Sequence, residues 1–286
     1  MELQEQLRKI SPADGDYMEM AKERWRTVAK PLHSLGKLED AVIRMAGMKR
    51  RVDFGIDKKA LVIMCADNGV VAEGVTQTGQ EVTAIVAENF TRGAASVCMM
   101  AQVAGADLFP VDIGIASDVP GLTRAEYKIA RGTGNMARDP AMTREQAARA
   151  VLTGIRIVEE LADKGYDLIA TGEMGIGNTT TSSALASVFL GCDPETVTGR
   201  GAGLSTEGLT RKIQVIRQAV SLNRPDPEDP LDVLAKVGGL DIAGLAGVFL
   251  GGAICRIPVV IDGFISSVAA LCAARLAPDA SDYMLP

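Results

Sequence analysis

From about residue 55 onward, short apolar runs rich in β-formers alternate with longer stretches of helical period, and this alternation limits the fold more than any other feature. "KALVIMCAD" (59–67), "DLFPVDIGI" (107–115), "YDLIATGEMG" (166–175) and "PVVIDGF" (258–264) read as strands. Between them, residues 81–106 read as helix with a break near Gly93. Residues 142–165 form the best helical pattern, with a capping box at Thr143 and Gln146 and Gly165 at its C-terminal end. "NTTTSSALASVFLG" reads as a further helix. Strand–helix alternation predicts parallel βαβ units, hence an α/β fold with a mostly parallel, Rossmann-like sheet flanked by helices. In such sheets ligands lie at the carboxyl ends of the strands, which brings Asp67, Asp112, Glu173 and Asp262 toward one rim.

Several classes of function are excluded by composition. Net charge is −6 and aromatics are 4% of the 286 residues, so nucleic acid has neither a basic footprint nor a stacking platform to meet. The most apolar stretch, 240–274, is interrupted by Arg256, Pro258 and Asp262, and reads as buried helix, strand and helix instead of a bilayer span. Five scattered cysteines (65, 98, 192, 255 and 272) without a C-x-x-C spacing read as reduced core thiols of a cytoplasmic protein, and "MELQEQLRKI" lacks the apolar core of a signal peptide. His33 is the single histidine, so a Ser-His-Asp or Cys-His mechanism has almost nothing to draw on, and no Cys/His spacing supports a metal. Acid–base work falls to carboxylates, lysine or tyrosine.

Two glycine loops carry the chemistry. "TGEMGIGNTTT" (171–181) turns from strand to helix through Gly172, Gly175 and Gly177, with Asn178 and Thr179 opening the helix. Unpaired amides and the helix dipole suit an anion there. The Walker spacing is matched, but Asn178 stands where the lysine would, favouring a monophosphate over a triphosphate; a tight turn with glycines used only for packing is the alternative. The second loop holds Gly199, Gly201 and Gly203 ahead of a helix carrying Arg211 and Lys212, which is either an anion site or a solvated basic face. Residues before about 50 hold helical patterns near 16–30 and 38–48 and no strand, and "NRPDPEDP" (223–230) is a turn-rich connector.

At these loops the sequence resembles the nicotinate-nucleotide–dimethylbenzimidazole phosphoribosyltransferase family. "SLGKLE" (34–39), "MCADNGVVAEGV" (64–75), "TRGAASVC" (91–98), "VDIGI" (111–115), "RGTGNMARDPAMT" (131–143), "GEMGIGNTT" (172–180), "KVGGLDIAGLAGVFLGGA" (236–253) and "PVVIDGF" follow the family's order. The resemblance implies a Rossmann-like nucleotide- and base-binding domain (55–278) and a small helical domain built from the chain ends (1–54 and the start of a C-terminal segment, 279–286), assembled as a homodimer. It implies transfer of 5-phosphoribosyl from nicotinate mononucleotide to 5,6-dimethylbenzimidazole or a related azole, in assembly of the cobalamin lower ligand, with no cofactor and no metal.

Carried over by position, Gly175, Gly177, Asn178, Thr179, Gly201 and Gly203 hold the mononucleotide, with Lys212 near its phosphate. Glu173 faces the ribose or the acceptor, and Asp67, Thr78, Val86, Met174 and Asp262 line the base pocket. The leaving group, a pyridinium, departs neutral without an acid or a metal, and carboxylates stabilise the oxocarbenium-like centre. Two departures stand out: Asn68 occupies a position where the family usually carries histidine, and the 286 residues end at "SDYMLP", before the family's "GEG" glutamate that is regarded as the general base. Within these residues Glu173 is therefore the expected supporting catalytic group. A mononucleotide- or benzimidazole-binding form without turnover is the alternative, and a nucleoside triphosphatase, against which Asn178 counts, is a third reading.

Overall fold

The computed structural model describes residues 2–122 and 125–286. In chain order the helices and strands are α1 (Glu2–Leu7), α2 (Gly15–Thr27), α3 (Lys37–Lys49), β1 (Lys59–Ala66), α4 (Glu81–Thr91), α5 (Ser96–Ala104), β2 (Ala106–Gly114), α6 (Arg144–Asp163), β3 (Leu168–Met174), α7 (Asn178–Leu190), α8 (Pro194–Val197), α9 (Thr206–Asn223), α10 (Pro230–Val237), α11 (Leu240–Cys255), β4 (Val259–Val260), α12 (Phe264–Leu276) and β5 (Met284–Leu285). The sheet order is β2-β1-β3-β4-β5, and every pairing is parallel. The switch point falls between β1 and β3, where the chain reverses the direction in which it lays strands down. Crevices for ligands open there in doubly wound sheets.

The expected strands form, with one correction. "PVVIDGF" contributes only Val259 and Val260 to the sheet, because Gly263 already caps the start of α12. The predicted break in 81–106 is present: Gly93 adopts φ +68° between α4 and α5. The capping box of α6 also forms, with Gln146 N–H donating to Thr143 Oγ1 (3.1 Å) and Thr143 N–H to Gln146 Oε1 (2.8 Å).

Helix α11 organises the core. From Leu240 to Ala253 every residue is buried, because the helix lies between the sheet and α6 and also touches α12. Each fully buried Leu, Val, Ile or Phe here contributes roughly 1.5–3 kcal/mol. Glycines bring α6 and α11 together: a Cβ on Gly154 would strike the Gly244 carbonyl, and one on Gly247 would strike the Val151 carbonyl. Strand β1 divides its side chains between two layers. Ala60, Val62, Met64 and Ala66 join this main core, while Ile63 and Cys65 face a smaller cluster beneath α4.

The chain ends meet on the far side. The Arg256 guanidinium donates to Ser11 Oγ (3.0 Å) and to Tyr283 Oη (3.2 Å), and Tyr283 Oη donates to the Ser11 carbonyl (3.1 Å). Ala13 N–H donates to Asp282 Oδ2 (3.0 Å), and Arg44 to the Met284 carbonyl (2.7 Å). Helices α2 and α3 pack on each other as an arm that leaves Met20, Leu32, Leu35 and Leu38 exposed. No helix among the described residues is long and apolar enough to cross a membrane.

Candidate active site

The second glycine loop and α9 resolve the choice between an anion site and a basic surface. Lys212 is 1% exposed, in the second turn of α9, whereas its neighbour Arg211 lies at the surface. Lys212 Nζ donates to Thr179 Oγ1 (2.8 Å) and to the Gly199 carbonyl (3.2 Å), two neutral oxygens. Burial alone pulls its pKa down from 10.5 to about 8. A buried ammonium with no carboxylate opposing it among the described residues calls for an anion. Beside it opens a cavity of about 370 Å³ lined by Thr179, Ser183, Gly199, Gly201 and Phe264. Gly201 (φ +58°) keeps this space clear, since a Cβ there would lie 3.0 Å from Thr179 Oγ1 and 3.5 Å from the lysine nitrogen. Gly203, at φ +107°, faces Gln77 instead.

In the first loop the glycines serve packing. A Cβ on Gly175 would lie 2.5 Å from Asp241 Oδ2 and 2.6 Å from the Ala66 carbonyl; on Gly177 (φ +95°) it would lie 2.8 Å from Val71. The turn closes on itself and on α4: Asn178 N–H donates to the Gly175 carbonyl (3.1 Å) and Ile176 N–H to Thr83 Oγ1 (3.1 Å). Beneath it lies a buried polar knot. Asn178 Nδ2 donates both to Glu173 Oε2 and to Asp241 Oδ2 (3.0 Å for the latter). Burial pushes Glu173 up to about 7, with the Asp241 and Asp262 charges adding to it and the Asn178 amide opposing. Burial likewise raises Asp241 to about 6, against hydrogen bonds from Asn178 and its own helix start.

An apolar groove of about 640 Å³ runs along the second face of the sheet, walled by Leu61, Ile63, Val86, Phe90 and Met100, with Glu173 and Asp262 at its carboxyl end. The structure thus brings Glu173, Val86 and Asp262 together at one space, and Thr179, Gly201 and Lys212 at another. The remaining sequence candidates go elsewhere. Asp67 is buried, accepting from Ala116 N–H (2.7 Å). Met174 packs on the small cluster below the groove. Thr78 is exposed, its carbonyl accepting from Thr76 Oγ1 (2.8 Å). Asp112, from the expected acidic rim, pairs with Lys128 (2.9 Å).

Asp241 went unread in the sequence. Its signal was there: a single charged residue opening an otherwise apolar helix, just after two glycines.

A parallel sheet with a buried cation beside a cavity at one glycine loop and a buried acid beside an apolar groove at the other defines an α/β protein built to receive an anion next to an apolar group. Comparison with known proteins agrees. The sequence profile of a family described as "Phosphoribosyltransferase" matches residues 10–286, and the chain belongs to that family. It is 49% identical over 280 residues to a protein named nicotinate-nucleotide–dimethylbenzimidazole phosphoribosyltransferase from Acetivibrio thermocellus, covering 98% of this chain and 80% of that one. A protein of the same name from Escherichia coli is 46% identical over 283 residues, covering 98% and 78%. The crystal structure of CobT from Thermus thermophilus superposes with a TM-score of 0.89 at 39% identity, covering 94% of this chain and 81% of that one.

Proposed function

We propose that the chain transfers the 5-phosphoribosyl group of nicotinate mononucleotide to a benzimidazole-type base, giving an α-ribazole 5′-phosphate and nicotinate for the cobalamin lower ligand. The observation that carries this reading is Lys212, a buried ammonium held by neutral oxygens beside an open cavity. A dianionic phosphate supplies the missing counter-charge through charge-assisted hydrogen bonds. Thr179 Oγ1, Ser183 and Gly201 line the space beside it.

In this reading the flat base occupies the apolar groove, against Val86, with its reactive nitrogen toward Glu173. The bond from C1′ to the pyridinium nitrogen breaks, and its electron pair leaves with nicotinate, whose ring becomes neutral. The azole nitrogen closes a new bond to C1′, and the proton on its second nitrogen passes to a carboxylate. Glu173, raised to about 7, supports this step by opposing the positive charge that develops at C1′. Asn68 at the switch point titrates nothing, so no imidazole takes part there. We also read the α2–α3 arm, joined to the chain's far end, as a small helical domain. Its exposed Met20, Leu32, Leu35 and Leu38 suit a homodimer, and the free thiols suit a cytoplasmic setting.

Incubation of the chain with nicotinate mononucleotide and 5,6-dimethylbenzimidazole tests this directly. Release of nicotinate together with α-ribazole 5′-phosphate is expected. Binding of both compounds without product would point instead to a carrier without turnover, and sedimentation of a monomer at micromolar concentration would refute the dimer.

A further inference from the structure

Asp241 is 0% exposed, and no ordinary helix-capping role accounts for both of its oxygens. Oδ1 does serve the helix, accepting from Ile242 N–H at 3.0 Å. Oδ2 turns away from α11 and takes one hydrogen of the Asn178 amide, whose other hydrogen goes to Glu173. A single planar NH₂ group therefore spans two acids, and the angle of that plane fixes where the Glu173 carboxylate stands. The surroundings are shaped around this bridge. Cβ atoms on Gly175 or Gly239 would each come within 2.5 Å of an Asp241 oxygen, and the Gly239 position would also meet Asn68 Oδ1 at 2.5 Å. Asn68 itself is 0% exposed and lies beside the knot at the switch point.

We propose that Asp241 is a positioning residue for Glu173: acting through the shared Asn178 amide, it orients the Glu173 carboxylate toward the groove, and its own charge acts on that carboxylate across the bridge. This rests on the phosphoribosyl-transfer reading for the role of Glu173. The charged and titratable groups facing the pair are Asp262 at the groove mouth and Cys65 on β1, and Asp112 lies beyond Cys65. None of these is cationic, so the two acids share a site in which ionisation of one discourages ionisation of the other.

Asp241→Asn separates charge from shape, because the new amide oxygen still accepts from Asn178; Asp241→Ala removes both. Carbon-13 NMR of glutamate-labelled full-length chain, assigned with Glu173→Gln, follows the Glu173 titration without any need for turnover. In Asp241→Asn its midpoint is expected to fall by roughly one pH unit. In nicotinate release the acid limb of the kcat profile should move down with it. At pH 7 kcat should change by less than about threefold in Asp241→Asn, which keeps the bridge, and fall at least about tenfold in Asp241→Ala, which loses it, while KM for nicotinate mononucleotide stays within about threefold in both. Adding Asp241→Asn to Glu173→Gln should produce little further loss, because the two act as a unit. An unchanged Glu173 midpoint in Asp241→Asn overturns the proposal whatever the activity. A wild-type chain that releases no nicotinate overturns the transfer reading instead, and leaves the NMR titration to decide the pairing. If the Asn variant unfolds, Asp241→Glu, which keeps the charge on a longer arm, must keep the high midpoint while lowering kcat; a lowered midpoint there also refutes the inference.

Discussion

Replacing Lys212 with methionine should make the ligand-free protein more stable while destroying its hold on the nucleotide. In the unfolded chain this lysine titrates at its ordinary 10.5, and in the fold at about 8. At 1.36 kcal/mol per pH unit, the native state carries about 3 kcal/mol of handicap for its charged form at neutral pH. Methionine fills nearly the same volume without the charge. It also forfeits the bonds to Thr179 Oγ1 and the Gly199 carbonyl, at roughly 1 kcal/mol each. The net gain is about 1 kcal/mol, or a Tm increase of roughly 2 °C in a chain of this size. The sign fixes the pH dependence. The handicap is complete below about pH 8 and fades as pH rises toward 10.5, because there the unfolded state holds more protons than the native one. The Tm advantage of Lys212→Met should therefore shrink across that window. Calorimetric titration with nicotinate mononucleotide should show affinity lowered at least about 30-fold, since a charge-assisted hydrogen bond is worth roughly 2 kcal/mol or more. A variant that is less stable than wild type at pH 7, or that binds the nucleotide normally, would refute the idea that this ammonium waits for a phosphate.

Other consequences can be measured alongside. Wild-type affinity for nicotinate mononucleotide should fall as pH rises above about 8, because Lys212 loses its proton there unless the ligand is bound, and proton uptake on binding should be seen in buffers of different ionisation enthalpy. Glu173→Gln should leave stability unchanged near pH 3, where both states are protonated, and raise it by up to about 3 kcal/mol above pH 7, where the native carboxylate is held ionised at a loss; urea unfolding at the two pH values checks this. Gly247→Ala should destabilise by about 2–3 kcal/mol despite alanine's better helix propensity, because its methyl would enter the Val151 carbonyl. Gly201→Ala should spare the fold more than nucleotide binding, a contrast visible by comparing Tm with the dissociation constant.

Much of the frame was legible in the sequence because periodicity and capping are local. The strands at 59, 107 and 166, the kink at Gly93 and the Thr143 capping box follow from residues within one or two turns of each other. The site was legible in composition but less so in arrangement. Gly175 reads as a phosphate-cradle glycine by its spacing, yet its missing Cβ makes room for Asp241, which is 66 positions away in the chain. Asp67 reads as a pocket acid because it ends a strand; one of its oxygens is taken by the backbone amide of Ala116, 49 positions away. Lys212 reads equally as surface or site until burial decides. In each case the deciding neighbour lies far along the chain, and no window of sequence contains it. β4 shrank to two residues for a local reason instead, as the helix cap at Gly263 competes with the strand for the same backbone.

The contact of α6 with α11 has a practical reach. Where two backbones rest on one another without side chains between them, there is no soft layer to absorb a change, so the N-terminal half of α11 and the acid it carries are indexed rigidly to α6. The groove wall opposite is built differently: Val86, Phe90 and Met100 project from α4 and α5 onto a face outside the main core. A mould mounted on a fixed bench can be recut without moving the tools, so substitutions along α4 and α5 should retune which flat ring is accepted while leaving the bond-breaking geometry where it is.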